Sequence, residues 1–188
     1  MQRRSFLRTA AVVNAATGLH DLFAGQASAG TPVSPPSIAL HPVGAGEDRF
    51  GHPHSLGFSS LLFKVATSET AGGLFVIEHQ HLLPGGPPLH LHLNQEEWFY
   101  VMEGEVAFQV GEQRLHLHPG ESVLAPRRVP HAFSSVAATP SRMLIAFCPA
   151  GKMEQFFRDA ESPGAPVTDA EFWRRYEVEL IGPSPFAK

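Results

Sequence analysis

Apolar positions along this chain alternate in short runs, and the runs end at glycine and proline. From Glu97 to Met102 the alternation is strict: Glu97, Phe99 and Val101 fall on one face, Trp98, Tyr100 and Met102 on the other. A period of two marks a strand with one packed face. Looser runs predict further strands at Phe58–Thr67, Leu74–Leu83, Val106–Val110, Gln113–His118, Ser122–Ala125, His131–Val136 and Arg142–Cys148. Glu47–Gly57 reads as a turn or a short strand. Thr70–Gly73, Pro84–Pro88, Gly104–Glu105, Gly111–Glu112, Pro119–Gly120, Pro126–Pro130 and Thr139–Pro140 are the turns between them. Strands recurring at roughly ten-residue intervals point to an all-β antiparallel sandwich or barrel.

The pattern changes after Ala150. Met153, Phe156 and Phe157 are spaced for one face of a helix. Ser162–Pro166 breaks it. Thr168-Asp-Ala-Glu171 has the spacing of a capping box before a second helix, which carries Phe172, Trp173 and Tyr176. These stripes are expected on the outside of the barrel or at a subunit interface. Residues 151–188 are thus read as a helical extension, residues 47–150 as the barrel and residues 30–46 as an irregular, Pro- and Gly-rich leader.

Composition adds limits. At 188 residues, one domain with a real core is expected. A net charge of −4 gives no reason to expect nucleic acid. The single cysteine, Cys148, excludes an intramolecular disulfide; it ends an apolar run and is expected to be buried.

Candidate chemistry centres on Pro84–Glu105. His90 and His92 are two apart, so a strand sends both side chains to one face. Glu97 begins the next strand, after the break at Asn94–Glu96. Two imidazoles and a carboxylate make most of a divalent-metal site. Three other His-x-His pairs occur, His52/His54, His79/His81 and His116/His118, and are read as histidine-bearing faces without an assigned role. Only His90/His92 is followed by the glutamate, by Gly104 and by a downstream Pro126-x4-His131.

Those residues resemble the two motifs of the cupin superfamily. In the first, His90, His92, Glu97 and Gly104 match in register, and Gly85 and Gly86 stand beside the first glycine position. In the second, Gly120, Pro126 and His131 match, with Arg128 in place of a glycine and Ser135 in place of an asparagine. The resemblance implies a cupin jelly roll (a double-stranded β-helix barrel) with a short C-terminal helical extension. It also implies one divalent metal ion on His90, His92, Glu97 and His131. Glu96 is the competing carboxylate; Glu97 fits because six residues then separate it from Gly104. Phe99, Val101, Phe108, Phe133 and Phe147 are expected to line the pocket.

The motif wording is most similar to single-domain quercetin dioxygenases. That implies a small aromatic or enediol-type substrate, dioxygen, and Glu97 as both ligand and base. A metal- or small-molecule-binding cupin of the cell envelope without catalysis, and a metal-dependent isomerase, are the competing readings. Gln2-Arg-Arg-Ser-Phe-Leu-Arg8, with Ala27-Ser-Ala29 after a mildly apolar stretch, resembles a twin-arginine signal peptide over residues 1–29. The stretch is too short and polar to anchor in a membrane. Export when folded, by the twin-arginine machinery, to the periplasm or beyond is expected. A metal loaded before export favours manganese or iron, with nickel, cobalt, copper and zinc as the other ions such ligands accept. Surplus aromatics on the face of Trp98 and in the tail suggest a homodimer.

Overall fold

A computed structural model describes residues 41–187; the signal-peptide and most of the leader assignments lie outside them. Among the described residues the order is β1 (His54–Ser55), β2 (Ser60–Val65), β3 (Phe75–Leu82), β4 (Leu89–His92), β5 (Glu96–Glu103), β6 (Val106–Val110), β7 (Gln113–Leu117), β8 (Ser122–Ala125), β9 (His131–Ser135), β10 (Ser141–Cys148), α1 (Met153–Ala160), α2 (Ala170–Arg174) and β11 (Val178–Gly182). The strands form two antiparallel sheets, ordered β1-β2-β3-β10-β5-β8 and β11-β4-β9-β6-β7. This is the jelly roll that the resemblance implied.

Alternation explains which side chains face inward. In β10, Met143, Ile145 and Phe147 are buried while the residues between them are more open. In β5 the buried set is Glu97, Phe99 and Val101. β10 lies between β3 and β5, so Ile145 pairs with Ile77 on one side and Phe99 on the other. These rows and Phe63, Phe75, Phe108 and Phe133 fill the space between the sheets. β9 is buried at every residue, because it lies between β4 and β6 and the opposite sheet covers it.

Turn chemistry sets how the sheets join. Gly86 has φ +58, and a β-carbon there would lie 1.7 Å from the Phe133 carbonyl oxygen. The Pro84–Pro88 turn can therefore press on β9 only with glycine at this position. Arg128, where the cupin motif has glycine, keeps the left-handed backbone at φ 64. Its N–H donates to the His92 carbonyl at 2.7 Å, so the loop before β9 is bound to β4 despite the side chain. Ser135, in the asparagine position, spends its hydroxyl on Ser141 at 2.8 Å.

The tail departs from expectation in three ways. Residues 151–188 are not only helical: β11 returns to the barrel and pairs with β4, placing Val178 opposite His92 and Leu180 opposite His90. A five-residue run of mixed polarity, Val178–Gly182, gives little strand signal by itself; an open edge on β4 recruits it. Second, the cap of α2 is Asp169, which accepts from the Glu171 N–H at 2.9 Å, in place of a Thr168–Glu171 capping box. Third, the aromatic stripes turn inward. Phe157 packs on Phe75 and Phe147, and Phe156 on Trp173 and Phe172. Cys148 is a further correction: it ends β10 on the open side of the pleat and is exposed. No helix among the described residues is long and apolar enough to cross a membrane.

Candidate metal centre

The two sheets bring the four motif residues together from opposite sides. His90 and His92 occupy alternate, inward positions of β4. His131 heads β9 as the register partner of His90. Glu97 comes from the other sheet, on β5, after Leu93–Gln95 carries the chain across. One ligand atom from each residue lies within 4.8 Å of the others, and all four residues are buried. Glu96 points the other way and forms a two-bond ion pair with Arg127, both contacts at 2.6 Å. The pleat thus separates the two candidate carboxylates, and Arg127 is a partner of Glu96 on the surface.

Each imidazole has one nitrogen already committed. Nδ1 of His90 meets the Pro88 carbonyl at 2.8 Å. Nδ1 of His131 meets the Val129 carbonyl at 2.9 Å. Nδ1 of His92 meets Gln95 Oε1 at 3.2 Å. All three acceptors require a proton on Nδ1, so Nε2 is the nitrogen each ring offers to the centre. Gln95, 1 % exposed, stands over Gly151, where a β-carbon would lie 1.6 Å from its Nε2. It was noted in sequence only as part of the strand break; its burial beside a ligand is what reveals its role.

The charges show what the centre is built to hold. Glu97 Oε2 lies 2.8 Å from His131 Nε2 and 3.0 Å from His92 Nε2. The second contact is out of line for a hydrogen bond, so His92 Nε2 has no partner among the described residues. Burial raises the Glu97 pKa, but the His131 hydrogen bond and the nearness of His92 outweigh it and leave the carboxyl well below its usual range. Burial likewise lowers the His131 pKa, and the hydrogen bond and charge of Glu97 reverse it, leaving His131 above its ordinary value. Burial, with the neighbouring His131 and His92, pushes His90 down to about 3. An anionic carboxylate facing imidazole lone pairs in an apolar interior needs a cation, either a proton on His131 or a metal ion. Three neutral Nε2 donors and one carboxylate fit a divalent first-row ion.

The centre opens into a cavity of about 580 Å³. Phe133 and Phe147 line it, with Ile145, Phe156, Phe157 and Trp173. Phe99, Val101 and Phe108, expected in the lining, are not there. They pack one layer behind, where Phe99 abuts His131, Phe108 and Phe133, and they hold the ligand wall in place. Their place is taken by the tail, whose Trp173 ring lies 5.3 Å from His90. Glu78 and Gln80 take no part in the centre: Glu78 pairs with Arg142 at 2.7 Å, and Gln80 faces a separate groove with Asp48 and His52. His54 bonds Glu161, while His116 and His118 are exposed beside Glu105. His79 is buried and lines the cavity wall.

Two outcomes are predicted. Replacing Gln95 with alanine frees the His92 ring and should weaken divalent-metal binding by about tenfold to a hundredfold in a chelator competition, with little change in fold by circular dichroism. Burial holds His79 near pKa 3 against 6.5 for an open histidine. Between those values the unfolded chain takes up a proton that the folded chain refuses, so stability is full above pH 6.5 and falls as pH drops toward 3. In urea titrations across that window, His79→Gln should flatten the slope by about 1.4 kcal/mol per pH unit.

Comparisons with known proteins agree with the geometry. Residues 78–147 match the family model described as Cupin domain. An uncharacterized protein of Methanocaldococcus jannaschii is 25% identical over 61 residues, 32% of this chain and 49% of that protein. The match thus spans about half the length of that curated relative. An RmlC-like cupin from Shewanella frigidimarina superposes with a TM-score of 0.51 at 19% identity, over 62% of this chain and 96% of that one. KdgF from Halomonas sp. gives 0.49 at 15% identity, over 60% and 94%. The described domain has the cupin jelly-roll fold, and within it residues 78–147 carry the match to the cupin domain model.

Proposed function

We propose that the chain is a metal-dependent dioxygenase acting on a small aromatic or enediol-type substrate, as quercetin dioxygenases do. The observation that carries this reading is the junction of a four-ligand centre with an aromatic-lined cavity of about 580 Å³. Three of the four residues that would hold the ion, His90, His92 and Glu97, also line the cavity, so a molecule bound there would lie beside the centre. A divalent ion held by His90, His92, Glu97 and His131 would supply Lewis acidity there. The chain's residues do the rest. Phe133, Phe147, Phe156 and Trp173 take up an aromatic ring and exclude water. Glu97, the one carboxylate at the centre, is placed to receive a substrate hydroxyl proton.

The remaining proposals follow the protein to its destination. Export by the twin-arginine machinery would fold the barrel around manganese or iron in the cytoplasm, before copper and zinc compete. Trp98 stacks on Tyr100 at 5.8 Å and pairs in register with exposed Leu124, and this outer face of β5 and β8 suits a homodimer.

Two experiments check these readings. Metal-loaded protein should consume oxygen with a flavonol, catechol or diketone panel, and Glu97→Gln should reduce turnover by at least about a hundredfold. Binding without turnover would favour an envelope binding protein, and anaerobic product formation an isomerase. Protein isolated from the host periplasm should begin at Gly30, run as a dimer by light scattering and carry manganese or iron; stoichiometric zinc or copper would contradict the loading order.

A further inference from the structure

We propose that His79 is a substrate-contacting residue: its Nε2 accepts a hydrogen bond from an uncharged O–H or N–H of the ligand, at a second polar point on the cavity wall apart from the metal ligands. The inference rests on the cavity being the ligand site. Phe75, Ile77 and His79 form the inward row of β3. At the third place of an otherwise apolar row stands an imidazole only 1 % exposed, among the residues that line the cavity. A ring so placed can keep one nitrogen for the protein and offer the other to the cavity.

Nδ1 lies 2.8 Å from Ser59 Oγ, and that hydroxyl also lies 3.2 Å from the Ser60 carbonyl, to which it can donate. With the hydroxyl proton on the Ser60 carbonyl, Ser59 accepts from Nδ1, and we assign the ring proton to Nδ1, which gives Nε2 the lone pair. Among the described residues the one side-chain hydrogen bond of His79 is through Nδ1, and Nε2 is not one of the fully enclosed unpartnered atoms, in keeping with a ring that lines the cavity. Phe58 lies parallel to the ring and Phe133 meets it edge-on at 5.6 Å, so it cannot turn away without losing its packing. Burial also keeps the ring neutral in the physiological range, its pKa lowered to about 3.

A fixed, neutral acceptor selects a class of ligand. It rewards a phenol, alcohol or amide N–H, and it repels a carboxylate or phosphate, which bring lone pairs against its own. With the metal centre taking oxygen donors at one end, His79 reads a second, donating group on the same molecule. It thereby discriminates among aromatic substrates of nearly equal size, which the surrounding phenylalanines cannot do.

The test is a cycle of ligand and protein changes on metal-loaded protein. Quercetin and analogues lacking one ring hydroxyl each are titrated while following the fluorescence of Trp173, against a Trp173→Phe blank. In the wild type, removal of one particular hydroxyl should weaken binding about tenfold to a hundredfold. In His79→Phe that hydroxyl should no longer matter, and in His79→Gln, which keeps an acceptor, part of the difference should return. Metal content should be unchanged in both. Equal hydroxyl dependence in wild type and His79→Phe overturns the inference alone. No binding of any flavonol by the wild type overturns the cavity reading, and this inference with it. Should His79→Phe fail to fold, nitrogen NMR of the wild-type ring decides: a proton on Nδ1 supports the assignment, and a proton on Nε2 overturns it.

Discussion

One buried carboxylate governs this molecule. Glu97 is 3 % exposed, comes from one sheet and meets imidazole nitrogens supplied by the other. An unpaired carboxylate in such a place would cost far more than a small domain's net stability, so something positive must sit with it. The three rings can meet that need only when their Nε2 atoms all turn inward. The positions of loops, glycines and tail residues around the centre make sense as means of turning those rings and holding them.

The means are local and partly repeated. His90 takes the carbonyl two residues before it, at Pro88, and His131 takes the carbonyl two residues before it, at Val129. Both lie at the ends of proline-marked turns, where chain direction is already limited and a carbonyl can be aimed. His92 has no such turn behind it. Its acceptor comes from Gln95, further along the crossing between the sheets, and Gln95 is seated by a glycine at the start of the tail. The tail adds a second tie: the Glu177 carbonyl accepts from the Leu93 N–H at 3.0 Å, and the Glu177 carboxylate accepts from Asn94 at 2.6 Å.

This explains what was legible in sequence. Strand positions were readable because alternation and Gly/Pro punctuation act locally, and most boundaries fall within a residue or two of expectation. A period of two put His90 and His92 on one face, and the convergence of both with Glu97 and His131 was legible through the resemblance to the cupin motifs. Three things were not. β11 carries a weak local pattern and exists because β4 offers an unpaired edge. The inward turn of Phe156 and Trp173 depends on where the tail docks, which helical spacing cannot specify. Phe99, Val101 and Phe108 were correctly placed on inward faces, but facing inward does not distinguish a cavity wall from the layer behind it.

The tail is therefore better viewed as part of the site than as an appendage. β11 covers the strand that carries two ligands, and Phe156, Phe157 and Trp173 supply one wall of the cavity. The barrel motif by itself supplies the four residues that could hold an ion and a floor, which many chemistries can share. What a bound molecule would meet beyond the ion is decided by α1, α2 and the inward row of β3, segments outside the motif stretches Pro84–Glu105 and Gly120–His131. A change of substrate in a related chain would thus be expected to alter those segments while leaving the histidines, their Nδ1 acceptors and Glu97 as they are, because the charge requirement at the centre is the same whatever the cavity admits.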